Sequence, residues 1–249
     1  MEWHDEGFVL SRRRHGEGSL VVNAFTFEHG RHAGLVQGGG SRAQAHLWQP
    51  GNRLDLVWHA RTAEHLGSLK GEPIRLHAAD LLDAPLELAG LSAAMALLDA
   101  AMAERDPHPV LYAATLRLID ALGEDEAWLA DYVRFELVLL AEAGFGLALD
   151  RCAVSGATEG LTYVSPRTGA AVAETAAGDW APRLLKLPRF LLDGSRPDRA
   201  EVVDGLRLTG HFLDQRLFDA VNRPPPQARL RLLDLLGPPA PDAPTQPAD

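Results

Sequence analysis

The chain has 249 residues with 46% hydrophobic content, enough for one large or two modest domains with a sizeable core, which excludes disorder of the whole chain. A formal net charge of -10 argues against a nucleic-acid partner only if the charge is evenly spread, because charge acts over about a Debye length. Apolar runs break well before the roughly 20 residues of a membrane span, and the acidic opening Met1-Glu2-Trp3-His4-Asp5-Glu6 has no secretory-signal character.

In chain order, short strands are predicted at 7–11, 19–27, 31–37, 53–60 and 66–79, the last interrupted near Gly71-Glu72-Pro73. Leu54, Leu56 and Trp58 alternate with Arg53, Asp55 and Val57, as a half-buried strand requires. His15-Gly16-Glu17-Gly18, Glu28-His29-Gly30, Gly38-Gly39-Gly40 and Pro50-Gly51-Asn52 supply the reversals. Five short strands in about 75 residues without a long helix suit a small closed barrel. From Leu88 the spacing turns helical, with segments at about 90–104, 108–122 and 126–144, then 181–192, 199–222 and 227–236. In the third, Leu129, Val133, Leu137 and Leu140 form one stripe, widened by Phe135 and Leu139. Residues 145–178 interrupt the pattern with Gly, Ser and Thr, and the proline-rich stretch 237–249 predicts a disordered tail. The organisation expected is a barrel at 1–80, a helical domain at 81–148 and 179–236, and an insertion at 149–178.

Catalytic and metal signatures are weak. Gly38-Gly39-Gly40-Ser41-Arg42 lacks the Gly-Lys-Ser/Thr ending of a nucleotide-hydrolysing loop, leaving a flexible turn or a phosphate contact through Arg42 and the loop amides. His15, His29, His32 and His46 fit no zinc spacing, and no Gly-x-Ser-x-Gly occurs. Residues 7–75 have no convergent carboxylate cluster to hold Mg2+ for a nuclease. The single cysteine, Cys152, has no evident activating partner and is consistent with a reducing cytoplasm.

The charge is unevenly divided. Residues 7–75 carry nine Lys/Arg against five carboxylates, whereas residues 81–249 carry 15 against 25. Arg12, Arg13, Arg14, Arg31, Arg42, Arg53, Arg61 and Lys70, with His15 as an adjunct, are the candidate phosphate-binding groups of a basic module on an acidic body. Phe25, Phe27, Trp48 and Trp58 are candidate base stackers, and all four also fit the core.

Several segments together carry a likeness: Glu6-Gly7-Phe8-Val9-Leu10, Arg14-His15-Gly16-Glu17, Phe25-Thr26-x-Glu28-His29-Gly30-Arg31, Gly34-Leu35-Val36-x-Gly38, Gln49-Pro50-Gly51 and Trp58-x-Ala60-Arg61. With Arg134-Phe135-Glu136-Leu137-x-Leu139-Leu140-x-x-x-Gly144 and Leu149-Asp150-Arg151-Cys152 in the same order, the chain resembles the RecO family of DNA repair and recombination mediators. The resemblance implies an α+β multidomain fold: an N-terminal five-stranded OB-fold barrel, then an all-α domain with an inserted, degenerate zinc-ribbon-like loop. It implies binding of single- and double-stranded DNA, strand annealing, association with RecR and with the acidic tail of single-stranded DNA-binding protein, indirect action on RecA, no membrane and no catalysis, in the nucleoid-associated cytoplasm of a bacterium. Arg134, in the matching Arg-Phe-Glu-Leu segment, is the candidate grip on the acidic tail; an ion pair with Asp131 or Glu136 is the alternative. Zinc-binding members carry two cysteine pairs, whereas Cys152-Ala153-Val154-Ser155 offers one cysteine. No cofactor is therefore expected, and packing of Leu161, Tyr163 and Val172 is expected to hold the loop. A non-catalytic scaffold with weak or no DNA binding is the competing reading.

Overall fold

A computed structural model describes residues 1–237 except 63 and 221; the predicted proline-rich tail lies, from residue 238, outside the described residues. Strands β1 (Glu2–His15), β2 (Ser19–Thr26), β3 (Gly30–Val36), β4 (Arg53–His59) and β5 (Ser68–Arg75) close a barrel in the order β1-β2-β3-β5-β4. This is the five-stranded OB-fold barrel. Strand β1 runs well past the predicted 7–11 at both ends because it serves two neighbours. Its first half pairs with β4, from Glu2↔His59 to Phe8↔Arg53, and its second with β2, from Gly7↔Thr26 to His15↔Ser19. The register shifts between Val9 and Ser11, and such a bulge bends a strand so that it can close a barrel. Alternation in β4 turns Leu54, Leu56 and Trp58 inward, where they join Val9, Leu20, Val22, Val36 and Leu69.

Strand β5 stops at Arg75, four residues short of the predicted end, and a turn of helix α1 (His77–Asp80) follows. Helices α2 (Pro85–Ala101) and α3 (Pro109–Ala121) each begin with proline, whose missing N–H and fixed φ suit a first helical position. Helix α4 (Trp128–Glu142) is central, burying Trp128, Tyr132, Phe135, Leu139 and Leu140. Residues 145–178, read from sequence as a break, include β6 (Leu161–Val164) and β7 (Ala171–Ala173), which join β8 (Leu185–Lys186) in a sheet of order β7-β6-β8. Helix α5 (Glu174–Ala177) and a 3-10 segment, Gly178–Arg183, link β7 to β8.

The helix expected at 181–192 is therefore not formed as one element. Pro182 lies inside the 3-10 segment and Pro188 precedes the short α6 (Phe190–Asp193), so backbone donors are missing at two points of any continuous helix. Helix α7 (Arg199–Phe212) begins at a capping box between Asp198 and Glu201, then widens into a π-helical turn at Leu213–Phe218. Helix α8 (Gln227–Leu236) closes the described fold.

A buried ion pair ties three helices. Arg229 on α8 donates Nε to Glu136 Oε1 at 2.7 Å and Nη2 to Glu136 Oε2 at 3.0 Å, while Thr209 on α7 donates to the same carboxylate at 2.5 Å. Nη2 also reaches the Leu206 carbonyl at 3.0 Å. A side chain at position 210 would meet the guanidinium 3.0 Å away, so Gly210 gives it room. Removing one partner of such a pair typically costs about 3–5 kcal/mol, because the other charge stays buried.

Two buried histidines make the fold sensitive to acid. His32 lies among Trp3 and Trp58 with neither ring nitrogen hydrogen-bonded, and its pKa falls to about 4 through burial, then the charges of Arg105 and His29. His77 also falls to about 4 through burial and Arg75, against the opposing pull of Asp120 and Asp80. Below about pH 6.5 the unfolded chain binds these protons and the native chain does not, so stability is lost as pH falls from about 6.5 toward 4. Each histidine contributes on the order of 1–3 kcal/mol to that loss. Urea unfolding at pH 7 and pH 5 should show it, and His32→Phe should shrink the difference; an unchanged pH dependence in the variant would contradict this assignment.

Candidate nucleic-acid interface

The interface is bounded by what the helices cover. Phe8 and Phe25 are fully buried, with rings 5.4 and 5.8 Å from that of Tyr112 on α3, and Phe27 meets the same ring edge-on at 5.5 Å. Asn23 Nδ2 donates to Asp99 Oδ1 on α2 at 2.8 Å, and the Arg105 amide donates to the Arg31 carbonyl at 2.8 Å. Gly30 has φ 62° and lies against the Asp106 backbone, where a side chain would collide. The outer face of β2 and β3 is thus closed around Phe25 and Arg31. Of the four candidate stackers, Phe25, Trp48 and Trp58 are core, and Phe27 is 43% exposed.

The arginines divide by environment. Arg31 donates Nε to the Met102 carbonyl at 2.8 Å and faces Asp99 at 3.5 Å and Glu104 at 3.4 Å. Arg53 places Nη2 2.7 Å from both oxygens of Glu6, and that hydrogen bond, opposing burial, raises its already high pKa. The structure ties both side chains to carboxylates and does not bring them together with the other candidates. Arg12 is half-buried and holds the β3–β4 connection, donating to the Ala45 carbonyl at 2.5 Å and to Gln49 Oε1 at 2.9 Å.

Beyond Arg12, the β1–β2 hairpin projects Arg13, Arg14 and His15 into solvent, with register Arg13↔Val21 and Arg14↔Leu20. Gly16 and Gly18, with φ 60° and 79°, turn the chain back. The Gly40 amide donates to the Gly18 carbonyl at 3.0 Å, which joins the glycine loop to the hairpin tip and brings exposed Arg42 to the same end of the barrel. Arg13, Arg14 and Arg42 have no carboxylate partner among the described residues. Arg61 stands exposed on the β4–β5 loop, whose Gly67 carbonyl accepts from the Leu35 amide at the end of β3. The β1–β2 and β4–β5 loops are the ones that flank the ligand face in OB folds.

Lys70 stands in a cleft beside the glycine loop. It lines this cleft of about 720 Å³ with Gln37, Gln44, Leu47, Asp55 and Glu72, where two carboxylates outnumber its one ammonium. Sequence reasoning could not divide the arginines this way, because the carboxylates facing Arg31 lie 68 and 73 positions away.

Arg134 makes an ion pair with Asp131 while its side chain stays about a third exposed. Its Nη1 meets Asp131 Oδ1 at 3.0 Å, Nη2 donates to the Phe190 carbonyl at 3.2 Å, and its guanidinium lies 5.4 Å from the Phe190 ring centroid. Glu136 pairs with Arg229, a partner that the local sequence gave no sign of.

The residues at the implied zinc loop do not fit a metal. Cys152 Sγ is buried and accepts N–H bonds from Ala173 at 3.2 Å and Ser155 at 3.4 Å, which pull its pKa down to about 6. Among the described residues no group of three or more His, Cys, Asp or Glu side chains could hold a metal ion. Nor is any helix among them long and apolar enough to cross a membrane.

Residues 1–77 match the family described as recombination protein O, N terminal, and residues 83–224 match recombination protein O, C terminal. DNA repair protein RecO of Cereibacter sphaeroides is 51% identical over 237 residues, 95% of this chain and 98% of that protein. Its namesake in a Ruegeria species is 48% identical over the same shares, and that of Rhodospirillum centenum 51% over 94% of both chains. Two family matches spanning most of the sequence, with relatives at about half identity over nearly its whole length, mean that the chain belongs to the recombination protein O (RecO) family.

Proposed function

We propose that this chain is a recombination mediator that binds DNA through the open end of its barrel, where the β1–β2 hairpin and the glycine loop present Arg13, Arg14, His15 and Arg42, with Arg61 alongside. The RecO family consists of DNA repair proteins and not of enzymes. The observation that carries the reading is the contrast within one barrel: Arg31 and Arg53 are neutralised by carboxylates, while the loop arginines are exposed and unpaired. Unpaired guanidinium groups bind phosphates by releasing condensed counterions, which favours affinity without sequence preference. Screening phosphates on two strands lowers their mutual repulsion, a physical basis for annealing. Association with RecR and with the acidic tail of single-stranded DNA-binding protein, and help in loading RecA, are partner roles supported by the family likeness alone; nucleoid association follows from DNA binding in the same way. Arg134, whose side chain stays about a third exposed beside Asp131, is the proposed grip on that tail, with the Phe190 contacts holding its guanidinium in place.

If about five phosphates are neutralised, log affinity for an oligonucleotide should fall with log salt at a slope of roughly -3.5. Fluorescence anisotropy across a salt series measures it, and absent or salt-insensitive binding would leave the protein-scaffold reading in its place. We also propose that the loop around Cys152 holds its shape without metal, supported by its two N–H bonds and by buried Leu161 and Val172. Elemental analysis of purified protein should find no stoichiometric zinc, and one tightly held zinc per chain would overturn this.

A further inference from the structure

Far along the chain from the barrel loops, an aromatic surface stands open. Trp180, in the 3-10 segment after α5, is 64% exposed, while Trp48, Trp58 and Trp128 are no more than 2% exposed and Trp3 is half-buried. The Arg183 guanidinium lies 5.3 Å from its ring centroid, a cation–π arrangement that steadies the indole at the surface. Beside it runs a groove of about 580 Å³ with a mainly apolar floor that includes Val172, Ala177 and Leu184. Val154, also on its lining, is 71% exposed, so apolar surface continues to the rim.

The groove is lined by two cations, Arg167 from the β6–β7 turn and Arg183 from the 3-10 segment, and by no carboxylate. Neither guanidinium has a carboxylate partner among the described residues. An apolar slot with a flat aromatic wall and unpaired guanidinium groups fits a ligand that alternates planar rings with anions. Single-stranded nucleic acid has that chemistry: bases stack on the indole and phosphates meet the arginines. An acidic peptide would satisfy the charges, but only its aromatic side chains could stack on the indole, whereas every nucleobase offers a flat face.

We infer that the Trp180 groove is a second contact site for single-stranded nucleic acid, taking one or two nucleotides with a base against Trp180 and backbone phosphates on Arg167 and Arg183. The inference rests on the DNA-binding reading above and extends it. A strand held on the barrel loops and a segment held here would engage two separate surfaces of one molecule.

Tryptophan fluorescence provides the test, because Trp180 is the tryptophan most open to solvent. Adding oligo(dT) to the full chain should quench the solvent-exposed emission and shield it from iodide, and Trp180→Phe should abolish that component. Trp180→Ala should weaken oligo(dT) binding at least fivefold with little change in salt dependence. Arg167→Ala combined with Arg183→Ala should reduce the salt slope by about 1.4, the share of two phosphates. If wild type binds no oligo(dT) by anisotropy, the DNA-binding reading fails and this inference with it. Binding that leaves Trp180 emission untouched and survives Trp180→Ala overturns the inference alone. So does a peptide of Asp and Phe residues that quenches Trp180 where oligo(dT) does not.

Discussion

The aromatic joint between the barrel and the helical body governs which surfaces of this protein remain available. Phe8 and Phe25 pack against Tyr112, and Arg31 is clamped between the Met102 carbonyl and two carboxylates. Burying large aromatics is worth about 1.5–3 kcal/mol each, and an interface of this kind resists rigid-body separation. Its geometric consequence matters more. Helices α2 and α3 occupy the outer face of β2 and β3 near Phe25, which leaves the hairpin tip, the glycine loop and the β4–β5 loop among the barrel surfaces open to a ligand.

Charge follows the same division. Where the barrel meets the acidic body its arginines face carboxylates, as Arg31 does with Asp99 and Glu104. Away from the joint, on the loops, they do not. A net charge of -10 is therefore compatible with an electropositive end, since at physiological salt a potential reaches only about 8 Å before it is screened. The acidic surplus resides on the helical body and in pairs that hold the two parts together.

Much of the barrel was legible because its signals are local. Glycine turns at 16–18, 28–30 and 38–40 and the alternation of Leu54, Leu56 and Trp58 fix strands within a few residues. The extra length of β1 was hidden, since Glu2 to Glu6 read as an acidic opening without strand alternation until β4 supplies their partners. The broken segment at 181–192 was misread because apolar spacing outweighed Pro182 and Pro188, although proline removes the donors that a helix needs. At the candidate site, composition could count the arginines but could not sort them. Arg53 looks as available as Arg13 in the sequence, yet its partner Glu6 is brought alongside by the β1–β4 ladder.

The central claim is that the unpaired arginines at the hairpin tip and glycine loop, and not the paired ones, meet DNA. It is tested most directly by comparing two folded variants in oligonucleotide anisotropy: Arg13→Ala with Arg14→Ala and Arg42→Ala, against Arg31→Gln with Arg53→Gln. The account predicts that the first set loses most of its affinity and about 2 of its salt slope, while the second binds as wild type and only melts earlier. Wild-type binding by the first set, together with lost binding by the second, would contradict it.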